Sequence, residues 1–389
     1  MKEFDIAILG SGASGCMCAL TVAPSGKRIA LIDKNKTPAK KLMATGNGRC
    51  NLSNINDRDS KKYYNQDIDC FIKKFNFADM HKFFNDLGLV VYNDDEGRVY
   101  PLSNSAKSVI EVINNALAKY DNISVLNEKT IENIAKIEEK FKISLNGEEI
   151  IAHKVVFSLG GNNNHLLMPL NVKCKDVVPS LCSLKTDKKL KNLANIRVSP
   201  VKVTATLKDK EYSEIGEVMF KENGLSGIVI FNCSTLFARE NNFNGKITLD
   251  LMPNTSFERL VDLLSKRRKI NIKISNFFDG MFVREIGYYL LETCKINEDR
   301  LSSQLTRAEI ESLAKAIKNL TFNTTAPLDN NQVFSGGADL NDLTPILQSK
   351  SCKNLFVCGE ACDVDGICGG YNLQWAWTSG FIVGMSINN

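Results

Sequence analysis

Two glycine-rich stretches near opposite ends of the chain have the residue types needed to hold a dinucleotide. One is Gly10-Ser11-Gly12-Ala13-Ser14-Gly15; the other is Gly359-Glu360 followed by Gly369-Gly370-Tyr371-Asn372-Leu373. In the first, Gly10 makes a tight turn, Gly12 lets backbone approach a pyrophosphate, and Gly15 lets a helix pack on its strand. The turn brings Ala13 and Ser14 with it, and the N–H groups of the following helix face the phosphates. Asp33, about 20 residues on at the end of the next strand, is placed to bind adenosine ribose hydroxyls, with Lys34 beside it. That turn alone is compatible with many dinucleotides. A second glycine turn, returning at the far end of the chain and leading into a helix, points to FAD gripped from both ends.

The closing stretch also makes chemical sense by itself. Glu360 follows a glycine at a strand end, where an acid can bind ribityl hydroxyls. Gly369-Gly370 lets backbone run close under a planar ring. Asn372 begins a helix whose positive N-terminus would face the flavin N1/O2 edge, which becomes negative on reduction. Trp375 and Trp377, one turn inside that helix, read as packing residues. A third stretch, Met43 to Asn54, contains Thr45-Gly46-Asn47-Gly48-Arg49-Cys50-Asn51. Its glycines admit a planar ligand, and Asn47, Asn51 and Asn54 can both donate and accept. It follows the basic pair Lys40-Lys41 and reads as a ribityl, pyrophosphate or flavin-ring contact, with Lys41 counted alongside.

Proton donors for a reaction at that ring are Cys50 and Cys368, in the two ring-proximal loops, and His165; for each cysteine a packing role is the alternative. Cys362 and Cys368 are separated by five residues and no CxxC pair occurs, which disfavours a disulfide-reductase reading. Three histidines without ligand spacing give no metal site.

These residues must be positioned by a chain of 389 residues, long enough for two or three domains. No apolar run is long enough to cross a bilayer and the N-terminus lacks a signal-peptide layout, so the scattered twelve cysteines read as reduced thiols in a cytoplasm. Residues 170–325 hold 25 Lys and Arg against 18 Asp and Glu, whereas the rest holds 24 against 26. An acidic partner such as RNA would meet that middle part, at Lys185 to Lys191 and at Lys266-Arg267-Arg268-Lys269; a solvated basic surface is the alternative.

The pattern opens as βαβ: a strand over 2–9, the glycine turn, a helix over 16–23, and a strand over 28–33. Helical spacing follows at 71–87 and 105–120. A meander of strands follows at 123–126, 131–137, 141–145 and 150–158, with Asn146-Gly147 as a hairpin turn. From about 170 to 253 the texture alternates as strands, including 201–207, 227–231 and 246–251. Residues 255–320 are helical, 322–334 extended, 353–358 a short strand, and 372–385 a closing helix. The expected architecture is α/β, a Rossmann-like two-part FAD domain with an inserted β-barrel-like module and a helical module. The segments are 1–165 with 333–389, then 166–253 with 321–332, and 254–320.

Three stretches, the Met43–Asn54 loop, Phe220-Lys221-Glu222-Asn223-Gly224-Leu225-Ser226-Gly227 and Gly359–Gly380, resemble the BaiN/RdsA-type NAD(P)/FAD-dependent oxidoreductases over nearly the full length. The resemblance implies FAD contacts from the Gly10–Gly15 turn, Asp33, Thr45, Gly46, Asn47, Gly48, Cys50 and Asn51. It also implies a backbone contact to adenine near Ile131, and contacts at Gly160, Gly359, Glu360, Gly369, Gly370, Asn372 and Leu373. The chain departs from the family pattern at Ser158-Leu159-Gly160-Gly161-Asn162-Asn163-Asn164-His165 and at Gly336-Gly337-Ala338. The activity implied is reduction of a C=C bond by hydride transfer from the flavin, with NAD(P)H as transient reductant. The favoured substrate is a uridine in large-subunit ribosomal RNA, met by the basic insert. A small enone such as a bile-acid intermediate is the alternative, and a non-catalytic FAD-binding protein a third.

Overall fold

The computed structural model describes residues 2–57, 59–328 and 333–389. They form two compact units, one built from Met1–Pro179 with Gln332–Asn389 and the other from Ser180–Asn331.

The first unit opens with strand β1 (Lys2–Leu9), helix α1 (Ala13–Val22) and strand β2 (Ile29–Ile32). Ile6–Leu9 of β1 and all of β2 are fully buried aliphatics, as strands covered on two faces require. A helical turn over Lys40–Gly48 leads to β3 (Ser53–Asn54), then α2 (Ser60–Tyr63), α3 (Asp69–Ile72) and α4 (Phe77–Asp86). The single helix expected over 71–87 is therefore two. Asn76 breaks it: its side chain caps α4 by accepting from the N–H groups of Ala78 and Asp79. Strands β4 (Val91–Asn93) and β5 (Arg98–Pro101) make a small antiparallel sheet with β3. Helix α5 (Ala106–Leu117) then leads to β6 (Ile123–Leu126), β7 (Ile131–Ile137), β8 (Lys140–Leu145), β9 (Glu148–Phe157) and β10 (Cys174–Ser180).

The second unit holds β11 (Ser183–Thr186), β12 (Arg197–Leu207), β13 (Lys210–Lys221), β14 (Gly224–Ser226), helix α6 (Ile228–Arg239) and β15 (Lys246–Asp250). Helices α7 (Phe257–Arg268), α8 (Arg284–Thr293) and α9 (Arg307–Lys318) precede β16 (Leu320–Leu328). The strands close into a barrel in the order β11-β14-β13-β12-β15-β16. Val201, Val203, Ala205 and Leu207 point inward while Lys202, Thr204 and Thr206 alternate outward. The strand expected at 227–231 is a correction: Gly227, at φ 111°, turns the chain out of β14 and helix α6 begins at once. Eight residues of α6 are buried, so it has no polar face to mark a 3.6-residue period. Barrel and helices share one apolar core.

The chain then re-enters the first unit with β17 (Val333–Ala338), which pairs with β10, strand β18 (Leu355–Val357) and helix α10 (Tyr371–Asn388). The extended stretch expected over 322–334 is carried by β16 and β17; positions 329–332 lie outside the described residues. The main sheet runs β6-β2-β1-β9-β8-β7, with β18 also on β9. Strand β9 is shared along its length: Glu148–Ala152 pair antiparallel with β8, and Val155–Phe157 pair parallel with β18. Strands β6, β2, β1, β9 and β18 are mutually parallel, so the loops after β1, β2, β9 and β18 leave the same edge. This is the edge where open α/β sheets bind ligands. The first and last helices pack on each other through small residues. A Cβ at Gly380 would lie 2.3 Å from the Ser14 carbonyl oxygen, and one at Gly384 2.6 Å from Thr21 Cβ. Among the described residues no helix is long and apolar enough to cross a membrane.

Candidate functional site

At the end of β1, Gly10 takes φ 100°, and a Cβ there would fall 2.5 Å from the Ser158 carbonyl oxygen. Gly15 is equally confined, with its virtual Cβ 1.9 Å from the Gly10 carbonyl oxygen. Gly12 differs: nothing lies within 4 Å of a Cβ built on it. It is the N-cap of α1, which has no side-chain cap and no acid in its first turn. Gly12 and Ala13 are partly exposed while Ser14 is buried. The result is a row of orphan helix N–H groups facing open space, an anion cradle.

Asp33 backs this turn. Its Oδ2 accepts from Ser11 N at 2.7 Å and Ser11 Oγ at 2.9 Å, and its Oδ1 accepts from Asn35 N at 2.9 Å and Asn35 Nδ2 at 2.8 Å. The carboxylate thus fixes the turn as well as standing where ribose hydroxyls would arrive. Lys34 beside it is exposed. The Asp33 carbonyl accepts from Lys129 N at 2.9 Å, which brings the chain leading to half-buried Ile131 against the same edge.

Gly359, at φ 68°, touches α1 directly: its virtual Cβ would be 2.3 Å from Ser14 Oγ. The next residue, Glu360, receives Lys41 Nζ at 2.6 Å on Oε2 and Phe334 N at 2.9 Å on Oε1. A Cβ on Gly160 would meet only Glu360 Oε2, at 3.2 Å. Lys41, Gly160 and Glu360, far apart in sequence, therefore share one corner of the site.

The second helix start is built by remote residues. Gly370, at φ 99°, is the N-cap of α10, and its virtual Cβ would lie 2.2 Å from the Ser53 carbonyl oxygen. With its amide oriented to satisfy its neighbours, Asn51 accepts from Gly370 N at 3.0 Å and donates to the Ser53 carbonyl at 3.0 Å. Asn54 Nδ2 donates to the Gly369 carbonyl at 3.0 Å, and Ser53 Oγ to Gln374 Oε1 at 2.6 Å. Asn372 spends its side chain on the Gly366 N–H and C=O, at 2.9 and 2.8 Å, so what it offers a ligand is its backbone N–H. Leu373 is half-buried. No side chain caps α10 and no acid occupies its first turn. Trp375 and Trp377 are buried, their indole N–H groups satisfied by the Gly359 and Leu52 carbonyls at 2.9 and 3.0 Å.

Between these turns the 45–51 loop is wound left-handed, with φ 55° at Gly46, 55° at Asn47, 82° at Gly48 and 62° at Cys50. Thr45 is tied by its hydroxyl to the Leu42 carbonyl at 2.7 Å, while Asn47 is exposed. Cys50 is fully buried, and burial pushes its thiol up to about 12; such a thiol is a poor acid at neutral pH. Cys368 is half-buried beside Gly369, and His165 is exposed in the turn Gly161–Leu166. In that turn the buried amide of Asn164 finds no hydrogen-bond partner among the described residues.

Spacing and residue type left Ser11, Ser53, Ser158 and Gln374 unassigned. Ser158 Oγ lies 2.8 Å from both the Leu9 and Gly10 carbonyls, and Gln374 is fully buried. A serine before a glycine pair and a buried-face glutamine are the only signals they leave. In the second unit the two basic clusters differ. Lys266 pairs with Asp262 at 2.7 Å, Arg267 donates to the Phe277 and Asp279 carbonyls, and Arg268 donates to the Ser303 carbonyl at 3.1 Å. Lys185, Lys188, Lys189 and Lys191 are exposed.

The arrangement fits FAD: an open helix cradle for a pyrophosphate, an acid behind it for ribose, and a second uncapped helix start for the anionic edge of a ring. Among the described residues no cluster of His, Cys, Asp or Glu could hold a metal ion.

Residues 4–386 match the family described as HI0933-like protein Rossmann domain. A curated relative, 3-dehydro-bile acid delta(4,6)-reductase of Clostridium scindens, is 30% identical over 97% of this chain and 98% of its own length. Ribosomal RNA dihydrouridine synthase of Escherichia coli is 25% identical over 97% and 96%. In fold the chain is similar to the E. coli quinol fumarate reductase subunit FrdA, with a TM-score of 0.50 and 14% identity over 100% of this chain and 70% of that one. It is also similar to a flavocytochrome c3 fumarate reductase, with a TM-score of 0.50 and 10% identity over 100% and 78%. The chain belongs to the HI0933-like Rossmann-domain family of BaiN/RdsA type and is an FAD-dependent oxidoreductase.

Proposed function

We propose that the protein reduces a carbon–carbon double bond conjugated to a carbonyl, using electrons from NAD(P)H. The observation that carries this is chemical: two full-length relatives bear names for saturating such a bond, one in a dienone steroid and one in uracil. The bound flavin supplies the two-electron chemistry. The chain's part is to hold it. The N-terminus of α1 takes the pyrophosphate, and Asp33 with the Ile131 segment takes the adenosine end. Lys41, Gly160 and Glu360 border the ribityl chain, and the N-terminus of α10 meets the ring edge that gains negative charge. Of the proton donors, Cys368 is half-buried and His165 exposed, whereas buried Cys50 keeps its proton.

The favoured substrate is a uridine in large-subunit ribosomal RNA. Its support is the exposed lysine set Lys185, Lys188, Lys189 and Lys191, which carries no ion pair among the described residues and suits a phosphate backbone. A small enone is the second reading, favoured by the higher identity to the bile-acid reductase. Mass spectrometry of ribosomal RNA from a deletion strain decides between them. Loss of one dihydrouridine is the expected result; an unchanged set removes the RNA reading and leaves the enone.

A further inference from the structure

Arg49 lies inside the left-handed 45–51 loop, and its side chain binds none of the groups that build the two helix starts. Its guanidinium carbon sits 4.4 Å from the centre of the Tyr100 ring. Tyr100 is buried on β5 and rests in turn against Tyr92, ring centres 6.0 Å apart. In the turn between β4 and β5, Asp94 and Glu96 bind Arg98 at 2.8 and 2.7 Å. Arg49 has no carboxylate partner among the described residues. Its remaining bonds are long, 3.4 Å from Nε to the Gly46 carbonyl and 3.5 Å to the Tyr100 hydroxyl. An exposed guanidinium stacked on a fixed ring loses little freedom when it binds, and its planar fork keeps donors for two oxygens of one anion. The same loop reaches the second helix start through Asn51, which accepts from Gly370 N. Arg49 therefore belongs to the loop that borders the place where the flavin ring is proposed to lie.

We propose that Arg49 recognises a phosphate-type oxyanion of a molecule that comes to the flavin, and so helps to set which molecule that is. The placement beside the ring rests on the flavin reading above; the anion site itself does not depend on which double bond is reduced. Two sources share this chemistry, the phosphodiester of an RNA acceptor and the phosphates of NAD(P)H.

The test titrates inorganic pyrophosphate calorimetrically into FAD-loaded wild type, Arg49→Gln and Arg49→Lys. Loss of one charge-assisted pair is expected to weaken binding roughly 10- to 100-fold in Arg49→Gln, with a smaller loss in Arg49→Lys. FAD affinity, measured on the same proteins, is expected to stay within about threefold. Equal pyrophosphate binding in wild type and Arg49→Gln, or none in wild type, overturns the proposal. So does loss of FAD from Arg49→Gln, which would place Arg49 in the cofactor cradle. The source is read from anaerobic flavin bleaching, as the ratio of rates with NADPH and with phosphate-free 1-benzyl-1,4-dihydronicotinamide. A ratio that falls in Arg49→Gln assigns the reductant; an unchanged ratio with weakened pyrophosphate binding assigns the RNA phosphodiester. Failure to reduce any double bond would strike the function proposed above while leaving the pyrophosphate result readable.

Discussion

The two helix starts that face the cofactor site are built in opposite ways. The α1 start is local: Gly10, Gly12 and Gly15 form it within six residues, and Asp33, just past the adjoining strand β2, braces it through Ser11. The α10 start is assembled from afar, by Asn51, Ser53 and Asn54 reaching residues more than 300 positions later in the chain. Both end as uncapped N-termini with no acid in the first helical turn. The difference is in what fails when a residue is changed. The local turn can lose its ligand and keep its fold, whereas the assembled turn couples the two.

The largest effect is expected from Gly370→Val. It puts a branched side chain at φ 99° with its Cβ 2.2 Å from the Ser53 carbonyl oxygen. The apoprotein should lose on the order of 3 kcal/mol or more and retain no flavin; thermal unfolding and the visible spectrum report both, and retained FAD would refute this placement of the turn. The local turn gives a sharper contrast. Gly15→Ala forces a Cβ against backbone 1.9 Å away and should cost about 2–3 kcal/mol. Gly12→Ala enters open space and should change apoprotein stability by less than about 0.5 kcal/mol while weakening FAD at least about tenfold. Equal stability losses in the two variants would erase the distinction.

Ser53→Ala removes the partner of the buried Gln374 Oε1 and should cost about 1–3 kcal/mol. A stability loss accompanied by weaker FAD binding is the signature of the coupled turn; a loss of stability alone would contradict it. The last effect is silent at neutral pH and shows only as a pH slope in alkali. Burial raises the folded Cys50 thiol from its ordinary value to about 12. Its contribution is therefore complete below about pH 9 and is lost as pH rises toward 12, because the unfolded thiol ionises first. Cys50→Ala should flatten the fall of stability over that window by about 1.4 kcal/mol per pH unit. An unchanged slope would mean that Cys50 is not sealed under the loop.

The contrast also explains what was legible in the sequence. The first turn could be read because its glycines lie within one short stretch and the strands on either side carry unbroken apolar runs, Ile6–Leu9 and Ile29–Ile32. The glycines of the second could be read, but not the Ser53–Gln374 and Asn51–Gly370 bonds, which join positions that only tertiary folding brings together. Helix α6 was hidden because burial on nearly every side erased its period, and Asn76 split a helix by a cap that apolar spacing does not reveal. The run Lys266–Lys269 read as a free basic cluster, yet Arg267 and Arg268 are spent on backbone carbonyls of their own unit. Charge counts see residues, not partners.

The most direct measurement is an anaerobic titration of the purified protein with NADPH or NADH, followed in the visible spectrum after FAD content is determined. One FAD per chain, bleached by one equivalent of a reduced nicotinamide, is the expected result. A colourless protein that cannot be reconstituted with FAD, or bound flavin that neither nucleotide reduces, would contradict it.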